Sequence, residues 1–182
     1  NGSAVRVEKT DSVTCEIPEN GNLFSSIQTN YYGWQVNGAK TDLESNLSIH
    51  AGTRLSHQQL ALSEALDNLC TGIAKDPNAT MMSSQGDNGQ FGYVATYGKQ
   101  SLNNDELGLA VFFDPDHFGE FTSDEFSHIV TLRPADKKVD YYFAAAWVEE
   151  HNRIKDQAAF QKYVQQTAKS LANPVKVKVD VK

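Results

Sequence analysis

Asn, Gly, Asp and Ser recur every few residues along this chain, and the apolar runs between them are short. Punctuation of that density favours many strands joined by turns over a bundle of long helices. The clearest run is Leu43 to Leu55. Leu43, Ser45, Leu47, Ile49, Ala51 and Leu55 fall on one parity, and Asn46, Ser48, His50, Gly52 and Arg54 on the other. Side chains of a strand alternate between faces, so this run predicts Leu47, Ile49 and Ala51 in the core with Ser48, His50 and Arg54 facing away.

Other strands are expected at Ala4–Val7, Val13–Ile17, Leu23–Val36, Phe91–Gln100, Leu107–Asp114, Ser127–Leu132 and Val139–Val148. Leu107–Asp114 is continuously apolar, hence central. Pro18–Asn22, Asn37-Gly38 and Arg133–Asp136 read as turns, and Pro77–Gly89 and Pro115–Asp124 as loops. Gly33 beside Trp34 marks a bulge. Gln58–Lys75 has helical composition, but Asp67-Asn68 and Gly72 interrupt it, and strand–loop–strand is the expectation. One helix stands out: Asp156 can cap Gln157–Leu171, whose buried stripe is Phe160, Val164, Ala168 and Leu171, and Asn173-Pro174 ends it. Val175, Val177, Val179 and Val181 then alternate with polar residues as an edge strand would.

The fold expected is therefore mainly β, an antiparallel β-sandwich with one C-terminal amphipathic helix. At 182 residues the chain suits a single domain, residues 1–182. The net charge of −7 argues against nucleic acid or an anionic membrane as partner, and no apolar run nears the ~20 residues of a membrane span. Cys15 and Cys70 lack metal or redox spacing. Either two thiols or one disulfide fits.

No nucleophile elbow, phosphate loop, zinc helix or dinucleotide fingerprint is present, and no cofactor is implied. Chemistry must come from residues that strands bring together. His50 can move a proton near neutral pH, and Arg54, with Asn46 and Ser48 beside it, can clamp a carboxylate. These are the needs of a uronic-acid site, in which the carboxylate is neutralised and the neighbouring proton abstracted. The plain alternative is a solvated sheet face. Tyr142 has the opposite parity to Tyr141, Phe143 and Trp147, and can serve as acid or base. Trp147, Tyr32 and Trp34 are candidates for stacking on sugar rings, against the alternative that they belong to the core. The loop Asp114-Pro115-Asp116-His117 fits a calcium loop poorly and no metal is expected. His57, His128 and His151 show no ligand spacing.

Several phrases together carry a resemblance: Tyr31-Tyr32-Gly33-Trp34, Leu47-Ser48-Ile49-His50-Ala51-Gly52-Thr53-Arg54-Leu55, Asn68-Leu69-Cys70-Thr71-Gly72-Ile73, Tyr97-Gly98-Lys99-Gln100-Ser101, Leu107-Gly108-Leu109-Ala110-Val111, Tyr141-Tyr142-Phe143-Ala144-Ala145-Ala146-Trp147 and Leu171-Ala172-Asn173-Pro174-Val175-Lys176-Val177. The series resembles the C-terminal half of an exported bacterial family catalogued as a domain of unknown function, DUF4861, found among polysaccharide-degradation genes. The resemblance implies a galactose-mutarotase-like supersandwich, a secreted or periplasmic location, an acidic polysaccharide or oligosaccharide as partner, and a further N-terminal half or partner domain. It implies no catalytic assignment. Three functions follow as expectations. The first is a lyase-like enzyme cleaving uronate polysaccharide by β-elimination, with Arg54 on the carboxylate and His50 and Tyr142 as base and acid. The second is a non-catalytic glycan-binding module. The third is a structural β-domain of a larger enzyme.

Overall fold

The computed structural model describes residues 4–7, 9–36, 38–87 and 89–180. Its strands are β1 (Ser12–Asn20), β2 (Phe24–Val36), β3 (Ala39–His50), β4 (Leu55–Leu62), β5 (Leu69–Ala74), β6 (Ala79–Ser84), β7 (Gly92–Gly98), β8 (Leu107–Phe113), β9 (Phe118–Ser123), β10 (Ser127–Leu132) and β11 (Lys138–Trp147), followed by helix α1 (Gln157–Ala172). An eight-stranded sheet runs β1-β2-β3-β4-β11-β8-β7-β6, and a three-stranded sheet runs β5-β10-β9. Every pairing is antiparallel. β8 is interior, as its continuous apolar sequence predicts, and Gln58–Lys75 holds strand, loop and strand.

The large sheet is covered on both faces, but only over β7, β8 and β11. On one face α1 packs Phe160, Val164 and Ala168 against Tyr97, Ala110 and Ala146. The Asp156 carboxylate caps the helix, accepting from the Ala159 amide at 2.8 Å, which satisfies one of the donors that a helix start leaves free. A Cβ at Gly108 would stand 2.3 Å from the Phe160 ring, so glycine there is what lets the helix close onto β8. On the other face the small sheet packs Ile73, Val130 and Leu132 against Val94, Val111, Phe113 and Val139.

Over β1 to β4 the covers reach only the near edge, where Leu55 packs on the helix-side core and Leu43 and Leu62 are buried, and this decides where the burial pattern departs from the alternation. Leu43 is buried, but Leu47 is only half-buried, Ile49 is 45% exposed and Ala51 lies in a turn at the surface. Ser48, on the other face, is buried instead, a small side chain between its partners Ser26 and His57. The strand also ends at His50. Ala51 and Gly52 turn the chain, with Gly52 at φ +81°, so Arg54 does not share a strand with His50.

Other expectations are corrected. Residues 4–7 form no strand. Pro18 lies within β1 rather than in a turn; it occupies an edge strand at the register shift between Glu16 and Glu19, where a missing N–H costs no ladder bond. The stretch Pro77–Gly89 contains β6, an exposed edge strand whose polar alternation resembles a loop. Within Pro115–Asp124 lies a short 3-10 turn followed by β9. Residues 175–180 pair with no strand, and Val175, Val177 and Val179 are exposed; Val181 lies outside the described residues. So does Asn37, while its neighbour Gly38 has the positive φ of a tight turn. Cys15 and Cys70 are free thiols on different sheets.

Candidate functional site

On the helix side of the large sheet, the alternation that makes the core over β7 and β8 turns polar over β1 to β4. The pairing register places Ser26, Ser48, His57 and Tyr142 in one row across four strands, with Gln28, Asn46, Gln59 and Asp140 in the next. His50 is one step further along β3, on the same face. His57 Nε2 lies 3.0 Å from Asp140 Oδ2, and the His57 ring stacks on Tyr142 at 4.1 Å with 7° between planes. Phe91 flanks Tyr142 at 6.3 Å.

The electrostatics follow from these contacts. The hydrogen bond from His57 holds the Asp140 carboxyl below the ordinary carboxylate range, with the histidine's charge acting in the same direction. Burial pushes the Tyr142 phenol up, with the neighbouring Asp140 adding to it, so Tyr142 stays neutral across physiological pH. Asp140 fixes the orientation of the His57 ring and leaves Nδ1 without a partner among the described residues. Asn46 Oδ1 is buried with no hydrogen-bond partner among them, an acceptor that ordinarily would be satisfied. The arrangement offers a stacked ring pair, an oriented proton carrier, a neutral phenol and a row of amides.

The sequence-derived residues divide among several places. Asn46, Ser48, His50 and Tyr142 do share this face. His50 is exposed and packs its ring on Phe24 at 4.6 Å, whereas His57 occupies the centre. Tyr32 is on the same face but six residues along β2 from Ser26, about 20 Å away. Trp34 is on the opposite face. Gly33, at φ +64°, sits in the register shift between Tyr31 and Trp34, and that bulge rotates Trp34 to the side of Tyr31 and Leu43. Trp147 is also on the opposite face, where its indole N–H donates to Asp105 at 2.8 Å.

Arg54 is placed apart from His50. It lies between β3 and β4, and its Nε donates to Glu150 at 2.6 Å and Nη2 to the Asn152 carbonyl at 2.7 Å. Its guanidinium carbon stands 5.5 Å above the Tyr163 ring. Its donors thus tie the loop before α1 to the large sheet. Nη1 has no partner among the described residues, and Arg54 lines a small pocket with Thr53, Asn152 and Tyr163, away from the His57 face.

His57 and Asp140 are the residues that sequence reasoning passed over. Leu55, His57, Gln59 and Ala61 alternate with Ser56, Gln58, Leu60 and Leu62, a signal masked by the helical composition of that run. Asp140 shares the parity of Tyr142, two residues away. The Asp114 carboxylate caps its own 3-10 turn by accepting from the Asp116 amide at 2.9 Å. No group of three His, Cys, Asp or Glu side chains placed to hold a metal occurs among the described residues.

Fold and site together define an antiparallel β-sandwich domain that keeps one half of its main sheet open as a polar face. The chain matches the family described as "Domain of unknown function (DUF4861)" over residues 1–177 and belongs to that family. It is 22% identical over 189 aligned positions to "Uncharacterized protein P7" of Formosa agariphila, a match covering 98% of this chain and 46% of the relative. The chain therefore spans about half the length of that curated relative. Among solved structures, the α-N-acetylgalactosaminidase NagBb of Bifidobacterium bifidum, as a quadruple mutant, is similar in fold with a TM-score of 0.52 at 12% identity, over 87% of this chain and 31% of that one.

Proposed function

We propose that this domain is a carbohydrate-active unit that engages a glycan on the polar face centred on His57, Asp140 and Tyr142. The observation that carries the reading is the His57–Asp140 pair stacked on Tyr142 within a half-open row of amides and hydroxyls. Rings and amides of this kind match the apolar faces and hydroxyls of sugars. His57 Nδ1 is the proton carrier, Asp140 holds its ring, and the neutral Tyr142 phenol is the partner acid. The fold likeness to a glycosidase domain is consistent with this reading.

The uronate form of the reading has less support on this face, because Arg54 lies off it, held by Glu150 and Asn152. The polar face carries Glu16, Glu44 and Asp140, and its lysines, Lys40 and Lys138, lie towards the far end, with Lys40 paired to Asp11. A neutral, hydroxyl-rich glycan suits such a surface better than a polyanion. We take the unit to work within a longer protein that is exported. Calorimetric titration with neutral and uronate oligosaccharides tests the proposal. Neutral glycans are expected to bind, and His57→Ala to weaken them by about tenfold or more. Equal binding by parent and variant, or binding of uronates alone, would overturn it.

A second reading has an observation of its own. On the opposite face, Val13, Ile17, Ile27, Ile49 and Phe143 are exposed over the strands that the small sheet leaves bare. A contiguous apolar strip fits a structural domain that docks a neighbouring β-domain. Loss of monodispersity relieved by Ile27→Thr would favour it.

A further inference from the structure

A groove of about 440 Å³ lies away from the His57 face, between the β2–β3 hairpin end and the small sheet. One wall is Trp34 with Val36 and Ala39. The other is the outward row of β9 and β10, including Glu120, Thr122 and Ile129, and the loop residues Asp67 and Asn68 close one end. The Gly33 bulge turns Trp34 into it; without the bulge the indole would face the polar side with Tyr32.

The groove's polar groups are largely unspent. Thr131 Oγ1 accepts from the Glu120 amide at 2.9 Å and pins that backbone, but the Glu120 carboxylate has no hydrogen-bond or ion-pair partner among the described residues. The side chains of Asp67, Asn68 and Trp34 have none there either. The lining, which also includes Ala4 and Val5, thus offers carboxylate and amide acceptors, an indole N–H donor, an aromatic face and an aliphatic floor, with no lysine or arginine among the described residues. Carboxylates demand donors, and an anionic ligand would be repelled. An apolar ligand would leave both carboxylates desolvated without partners. A sugar ring meets these demands: hydroxyls donate to Glu120 and Asp67, and the C–H face lies on Trp34, whose in-plane N–H stays free for water or a neighbouring sugar unit. The volume falls within the range of small-molecule sites.

We propose that this groove is a second carbohydrate site, binding a single neutral pyranose unit through Trp34, Glu120 and Asp67. It is separate from the His57 face, so the two readings stand or fall independently. The test uses the full chain with Trp147→Phe, which leaves Trp34 as the only tryptophan. Its fluorescence is titrated with glucose, galactose, xylose, N-acetylgalactosamine and glucuronate, with folding checked by circular dichroism. A saturable change with at least one neutral sugar is expected. It should persist when His57→Ala is added and weaken about tenfold with Glu120→Gln, which keeps the shape and removes the charge. Trp34→Phe, with binding then followed by calorimetry, should weaken it less than Trp34→Ala. No saturable change with any neutral sugar, a response to glucuronate alone, or a response abolished by His57→Ala would each overturn the assignment.

Discussion

Phe160→Ala tests how the helix is held. Phe160 is 0% exposed, its ring lies 5.4 Å from Tyr97 and 6.2 Å from Tyr163, and it fills the space that a side chain at position 108 would need. Truncation removes the ring from water-free packing and leaves a cavity bounded by a β-sheet that cannot collapse into it. Substitutions of this type cost about 3–5 kcal/mol. For a chain of 182 residues each kcal/mol lowers the melting temperature by roughly 2–4 °C, so a drop of roughly 6–20 °C is expected. Differential scanning calorimetry measures it, with the exposed Gln161→Ala as a control that should cost under ~0.5 kcal/mol. A Phe160→Ala melt within about 2 °C of the parent would refute the claim that the α1 stripe carries the cover of the large sheet.

Three further outcomes follow from the structure. Ile49→Ala should cost less than about 1 kcal/mol while Val111→Ala costs at least about 2, because Ile49 faces open solvent and Val111 is enclosed between sheets; chemical denaturation compares them. Arg54→Ala should increase amide exchange across residues 148–155 with little change in β7 and β8, since Arg54 ties that loop down; uniform exchange would contradict the clamp. Asp140 has a lowered folded-state pKa, so its contribution to stability is present above the unfolded carboxylate value of about 3.9 and is lost as pH falls through the folded value. Asp140→Asn should therefore reduce stability at pH 6, and the gap to the parent should shrink as pH falls below the unfolded carboxylate value and through the folded one; an equal gap throughout would show that the carboxylate's charge does not matter.

Local pattern made most of the strands, the turn glycines and the single helix legible, though β6 and β9 read as loops and residues 4–7 and 175–180 as strands they do not form. Each is specified by residues near in sequence: Asp156 and the spacing of Phe160, Val164 and Ala168 for α1, and continuous apolarity for β8. Cover was not legible. The parity of Leu47 and Ile49 describes two faces correctly, but which face is buried depends on how far the small sheet and α1 extend over β1 to β4, a tertiary fact. The site was half legible for the same reason. Parity placed Asn46, Ser48 and His50 on one face, yet only the register between β3, β4 and β11 brings Tyr142 to it and puts His57 and Asp140 at its centre. A single turn at Ala51-Gly52 removed Arg54, and a single bulge at Gly33 removed Trp34.

The central claim, that the polar face engages a glycan, is tested most directly by nuclear magnetic resonance titration of the isotope-labelled chain with a neutral oligosaccharide series. Perturbations concentrated at Ser48, His57, Gln59 and Tyr142, with a displaced His57 imidazole resonance, are the predicted result. Perturbations that leave those four residues unmoved while other surfaces respond, or none with any member of the series, would contradict it.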